Sequence, residues 1–274
     1  MKTILIPTDF SEVSKNAVEY GVQLAQQRNA KLILLHVFHI PVIASDDPVL
    51  IPSFDELEKD NVGFLKEFET EIRSRFNFTN GIECITKPGF LIDQIEETVL
   101  EKNLDLIIMG ITEAGKLSEL LLGSSSIGVI KNINCPTIII PAEAKFRPIN
   151  TIVFACDLEK TESIAALEQI KKFVQLFNAH LMVFNMVEPA QADGFEESVH
   201  SGKFKTIFEN INHSIHFIKG DNLVDTVNNF IDEKHADLLI MIPKKHTFFS
   251  QLFHKSSTKK MAFHTHVPLL AIHE

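Results

Sequence analysis

Two short stretches carry residue types that could hold a phosphorylated ligand. Pro7-Thr8-Asp9-Phe10-Ser11 sets a carboxylate and two hydroxyls directly after an apolar run. Gly110-Ile111-Thr112-Glu113-Ala114-Gly115 follows a second apolar run and leads on to Gly123-Ser124-Ser125-Ser126. A glycine where the chain leaves a strand removes a side chain, so a flat ring or a ribose could approach the backbone. A Gly-Ser-Ser-Ser stretch opening a helix offers N–H groups and hydroxyls, and the helix dipole favours an anion such as phosphate there. Asp9 could accept from a sugar hydroxyl or hold a magnesium ion beside phosphates. Each feature also has a plainer reading, because loop glycines commonly make turns and Ser124 could serve only as an N-cap.

These stretches need elements to position them, and an internal repeat supplies the plan. Thr3-Ile4-Leu5-Ile6-Pro7-Thr8-Asp9 recurs as Thr151-Ile152-Val153-Phe154-Ala155-Cys156-Asp157. Leu104-Asp105-Leu106-Ile107-Ile108-Met109 recurs as Ala236-Asp237-Leu238-Leu239-Ile240-Met241, and Cys135–Ile140 as Val267–Ile272. The offset is 148 for the first match and 132 for the other two, so the second copy has lost residues in its middle. Residues 1–143 are expected to form one domain and 149–274 a second, with the seam near the polar stretch Ala142–Pro148.

Within the first copy, apolar runs at Leu5–Pro7, Lys31–Phe38, Ile82–Thr86, Leu104–Met109 and Thr137–Ile140 read as strands. Between them, helical spacing links Val13, Ala17, Tyr20, Gly21, Leu24 and Ala25. It recurs over Asp55–Arg75, through Ile92, Ile95 and Val99, and over Ser124–Asn132. Ser11 is placed to cap the first helix. Strands that are continuously apolar are buried on both faces and need helices on both sides. The expected fold is α/β: two tandem, doubly wound, parallel five-stranded sheets of Rossmann-like type. In such sheets ligands bind at the carboxyl ends of the strands where strand order reverses. The two stretches above would meet there.

Composition agrees with a folded chain: 45% of the 274 residues are hydrophobic and 23% charged. A net charge of −10 argues against a general nucleic-acid binder, which needs a basic surface. The longest greasy stretch, Leu32–Ala44, is broken by His36, His39 and Pro41, so no membrane span is expected. The start of the chain meets Asp9 too soon for a signal peptide, and a cytoplasmic location is expected. Cys84, Cys135 and Cys156 stand alone without a CxxC pair, as small buried thiols in a reducing compartment would.

The arrangement resembles the universal stress protein (UspA) family, across both copies. Ile4-Leu5-Ile6-Pro7-Thr8-Asp9-Phe10-Ser11 is similar to that family's first strand and Pro-x-Asp-x-Ser loop, and Leu34-Leu35-His36-Val37 to its second-strand signature. The family's ATP-binding branch carries Gly-x2-Gly-x9-Gly-Ser/Thr, and here Gly110, Gly123 and Ser124 match while Glu113 stands at the second glycine. The resemblance implies an adenine nucleotide alpha hydrolase-like fold and an adenine nucleotide (ATP, ADP or AMP), with or without magnesium, bound as a signal or stabilising ligand. Pro7, Thr8 and Asp9 would form the first loop, with Asp9 on the ribose or the metal. The Val37 backbone would meet adenine, Met109 and Gly110 the sugar, and Gly123, Ser124 and Ser125 the phosphates. A carboxylate at Glu113 opposes phosphate charge unless a metal or water intervenes. The expected site is therefore present but altered.

The second copy has lost the pattern. At offset 132, Gly110 becomes Ile242 and Gly123 becomes Lys255, and Pro243-Lys244-Lys245-His246-Thr247-Phe248-Phe249 has no glycine. Ile242 would fill the space that Gly110 leaves open. Lys244, Lys245, Lys255, Lys259 and Lys260 form a basic rim that could meet another anion or simply face solvent. Ten of the twelve histidines follow residue 150, and His213-x-x-His216 and His264-x-His266 raise a question of zinc. No nucleophile elbow, zinc-protease motif or full Walker A is present, so the expectation is a binding protein with at most slow ATP hydrolysis. The two copies are expected to pair as an intramolecular pseudo-dimer through their apolar last strands, with homodimers a further option. Two other readings stay open on the same tandem fold: a nucleotide-free interaction module, and a carrier of a nonpolar ligand suggested by 22 phenylalanines. The long stretch His39–Ser53, with three prolines, could cover the site.

Overall fold

A computed structural model describes residues 1–40, 53–111, 124–156, 163–187, 202–220, 222–243 and 266–273. These fall into two compact units, residues 1–111 with 124–146, and residues 147–273. The first unit runs β1 (Thr3–Pro7), α1 (Glu12–Arg28), β2 (Lys31–Phe38), α2 (Phe54–Phe76), β3 (Ile82–Pro88), α3 (Leu91–Glu101), β4 (Leu106–Ile111), α4 (Ser124–Asn132) and β5 (Thr137–Pro141). Its strands are parallel in the order 3-2-1-4-5. Ile4–Ile6, Leu32–Leu35 and Leu106–Ile108 are buried without alternation, as a sheet covered on both faces requires.

Local chemistry sets the helix ends. Ser11 lies in extended backbone and accepts from the Ser14 amide, which starts α1. Asn29, left-handed at φ 51°, stops it by turning its N–H onto the last carbonyls. In α2 the same logic appears as a reciprocal capping box between Ser53 and Glu56.

The second unit repeats the plan with β6 (Thr151–Ala155), α5 (Ile164–Phe177), β7 (His180–Val187), α6 (Gly202–Phe208), β8 (His213–Lys219), α7 (Leu223–Lys234), β9 (Leu238–Met241) and β10 (Leu269–Ala271). Its parallel order, 8-7-6-9-10, is that of the first unit. The expected α/β fold, with five parallel strands in the same doubly wound order in each unit, is therefore the observed one. His180 follows Lys31 by 149 positions, whereas His213 follows Ile82 by 131. The second copy is thus shortened between β7 and β8.

The repeat also explains a residue that resembles a functional acid. Asp105 Oδ2 accepts the amides of Lys2 (2.6 Å) and Thr3 (3.0 Å), and Asp237 Oδ2 accepts those of Asn150 (2.8 Å) and Thr151 (3.0 Å). Each carboxylate clamps the start of the first strand of its own unit. Asp237 is buried and also meets Arg147 Nε at 2.9 Å, whereas Asp105 is exposed. Charge-assisted hydrogen bonds contribute about 1.5–3 kcal/mol when desolvated. Asp237→Ala is expected to lower stability in a urea titration by about 2 kcal/mol, and Asp105→Ala by clearly less. Equal losses would contradict this account.

Candidate functional site at the end of the first sheet

Strand order reverses between β1 and β4, and their pairing covers only Ile4 with Leu106 and Leu5 with Ile107. Beyond that the strands part, with Pro7, Thr8 and Asp9 on one side and Met109 and Gly110 on the other. That parting is where a doubly wound sheet admits a ligand.

The first loop is built from hydroxyls. The Thr8 amide donates to the Leu35 carbonyl at 2.9 Å, which carries the β1–β2 pairing one residue past the strand. Ser14 is buried and donates to the Ser11 carbonyl at 3.0 Å. Its proton being so used, the Thr8 hydroxyl donates to Ser14 Oγ (3.1 Å) and accepts from the Phe10 amide (3.1 Å). Phe10 takes a left-handed φ of 62°, which leaves Asp9 exposed at the head of α1. Asp9 Oδ1 then accepts both the amide (3.0 Å) and the hydroxyl (2.6 Å) of Ser11. Partial burial pushes the Asp9 carboxyl upward, but its hydrogen bonds from Ser11 and Ser14 outweigh that and hold it below the usual aspartate value.

Beneath the loop, His36 Nδ1 donates to the Thr8 carbonyl at 2.8 Å, and Nε2 lies 2.9 Å from Asn61 Oδ1 on α2. The Phe10 ring packs on this imidazole at 4.6 Å. Val37, one residue on, is half-buried at the end of β2.

On the other side, Gly110 has a packing reason for being glycine. A Cβ there would lie 2.5 Å from the Val13 carbonyl oxygen and 2.7 Å from Val13 Cγ1. The glycine lets the first turn of α1 lie against β4, which holds the Asp9 loop beside that strand. Ser126 is buried and donates to the Gly110 carbonyl at 2.8 Å, tying the start of α4 to the end of β4. Ser125, its neighbour, is exposed at that helix start. Met109 is buried, as are Pro7 and Thr8.

The structure thus places Pro7, Thr8, Asp9, Val37, Met109, Gly110 and Ser125 at one end of one sheet. Glu113 and Gly123 lie outside the described residues, as does the Ser124 side chain, although Ser124 begins α4. Most of the His39–Ser53 stretch and the lysine rim of the second copy lie outside them too. Sequence reasoning missed Ser14, Ser126 and Asn61. The available signal was a small polar residue in an otherwise apolar helical face, which Ser14 is.

Elsewhere, His213 and His216 stand three apart on β8 and so project to opposite faces. His216 instead shares the Ser214 hydroxyl with His180, at 2.8 and 2.9 Å. Among the described residues no group of three or more ligating side chains could hold a metal ion. Burial pushes the thiols of Cys84 and Cys135 up to about 12, so neither is a ready nucleophile. No helix among the described residues is long and apolar enough to cross a membrane.

Residues 1–141 match the model of the universal stress protein family. The chain belongs to this family. A universal stress protein of Methanocaldococcus jannaschii is 32% identical over 156 residues, covering 51% of this chain and 94% of its own. Another from the same organism is 27% identical over 148 residues, covering 53% of this chain and 84% of its own. The crystal structure of a universal stress protein from Archaeoglobus fulgidus covers 99% of this chain and 98% of its own, with a TM-score of 0.73 at 21% identity. That is a likeness of fold along the whole chain. The two units share one strand order, and Asp9, Gly110 and the α4 start lie in the unit that matches the family model.

The Asp9 carboxyl has a pKa below the ordinary value of 3.8. Its contribution to stability is therefore complete above that value and is lost as pH falls through the lowered one. Ser11→Ala removes the hydroxyl donor and is expected to raise the Asp9 midpoint in a carboxyl 13C NMR titration. An unmoved midpoint would show that Ser11 does not hold the charge.

Proposed function

We propose that the first unit binds an adenine nucleotide at the parting of β1 and β4, as a signal or stabilising ligand. The observation that supports this best is the pairing of an exposed, ionised Asp9 with the Gly110–Ser126 anchor on opposite sides of that parting. A carboxylate held ionised by Ser11 suits a ribose hydroxyl or a magnesium ion at the phosphates. Ser125 and the amides that open α4 suit phosphate, because a helix N-terminus carries unpaired donors and positive dipole. Backbone at Val37 suits close approach of a flat ring, and Gly110 serves the site by seating α1, and with it the Asp9 loop, against β4. These residues fit the group that family membership suggests, and what they offer is binding and orientation.

The second unit is read as nucleotide-free. Ile242, which stands where Gly110 does in the first copy, is buried at 5% exposure. Its helix α5 begins at Ile164 under a Ser163 cap, nine residues after the end of β6 at Ala155, whereas α1 begins five after Pro7. The bulk that Gly110 avoids is thus present, and the first helix starts later. A role in the cytoplasm accords with this reading.

Gentle purification followed by denaturation and mass spectrometry tests it. About one adenine nucleotide per chain is expected from the native sequence and none from Asp9→Ala. Absence from both, together with no melting shift in millimolar ATP, ADP or AMP with magnesium, would overturn the reading in favour of an interaction module.

A further inference from the structure

Helix α3 starts in a way that local physics does not favour. Where the N-caps of α1, α2, α5 and α7 are Ser11, Ser53, Ser163 and Asn222, each with a side-chain hydrogen bond, α3 has Phe90 and no such bond. An apolar N-cap forgoes one of the helix's first amide partners. Phe90 does not recover this by burial, since 71% of it is exposed.

Its position is nevertheless built. The Gly89 amide donates to the Phe38 carbonyl at 3.0 Å, which extends the β2–β3 ladder one step past Pro88. Gly89 then turns at φ 121°, a conformation open to glycine. The turn sets Phe90 beside His39 at the carboxyl ends of two neighbouring strands, with ring centroids 6.0 Å apart and planes at 61°. Both rings line an open groove of about 580 Å³ that reaches Ser125 at the start of α4 and is also bordered by Asp93 and Glu96 on α3.

We propose that Phe90 and His39 form the stacking face for the nucleobase, so that the ligand lies with its base on these rings and its phosphates toward Ser125. The inference rests on the nucleotide reading given above. The charges orient it: Asp93 and Glu96 repel phosphate from the aromatic end, whereas the α4 start favours it. An exposed phenyl offers a face to any base, so Phe90 supplies affinity without hydrogen-bond readout.

Phe90→Ser separates this role from a structural one, because serine restores the missing cap. The variant is expected to melt higher than the native chain. It is also expected to bind ATP about tenfold more weakly, the scale of one lost base–aromatic stack. Its affinity for inorganic tripolyphosphate should be unchanged, and Phe90→Tyr should keep ATP affinity near native. Lower melting of Phe90→Ser, equal weakening toward ATP and tripolyphosphate, or unchanged ATP affinity would each overturn the proposal while leaving nucleotide binding in place. Failure of the native chain to bind ATP at all would overturn both.

Discussion

The close approach of α1 to β4 at Gly110 is the constraint on which the end of the first sheet depends. A methyl group at residue 110 would meet the Val13 carbonyl, so α1 can start where it does only because that side chain is absent. From this follow the short Thr8–Ser11 loop, the Ser11 cap and the exposed Asp9 carboxylate. The carbonyl of the same glycine receives Ser126 and thereby fixes the start of α4. One small residue thus sets the position of both walls of the parting between β1 and β4.

The two units show what happens when that constraint is removed without changing the fold. Both keep the strand order and both keep the aspartate clamp, Asp105 in one and Asp237 in the other, because these hold the first strand against its neighbours. The second has Ile242 in place of the glycine and a first helix that begins farther from its strand. Sheet architecture tolerates this, since apolar strands buried on both faces need only volume and pattern. A ligand site of the kind proposed for the first unit would not, since it depends on the first helix and its Asp9 loop seating against that glycine. Conserved architecture and divergent chemistry are compatible for that physical reason.

Much of the fold was legible in the residues. Ser11 as the cap of α1, the strand at Lys31–Phe38 and the helix at Ser124–Asn132 are all where periodicity and capping chemistry put them. The role of Asp105 was not legible, because its partners Lys2 and Thr3 are more than a hundred residues away in sequence. Gly110 was read as an opening for a ring, and nothing local in the sequence shows Val13 pressing on it. Ser126 stood in the Gly-Ser-Ser-Ser stretch without being singled out, and its hydroxyl is committed to a backbone carbonyl. His213 and His216 have the spacing of a helical pair, but their neighbours Ile215, Phe217 and Ile218 read as a strand, and on that strand the spacing separates them. Local signals survive folding, whereas contacts across the sheet are set by topology.

The most direct test of the asymmetry between the two units is an amide NMR titration of the whole chain with ATP and magnesium. Shifts confined to residues around Thr8–Ser11, Val37–His39, Gly89–Phe90, Met109–Ile111 and Ser125 are the predicted result. Shifts around Cys156 and Ile242 of comparable size, or none at any of these positions, would contradict the account.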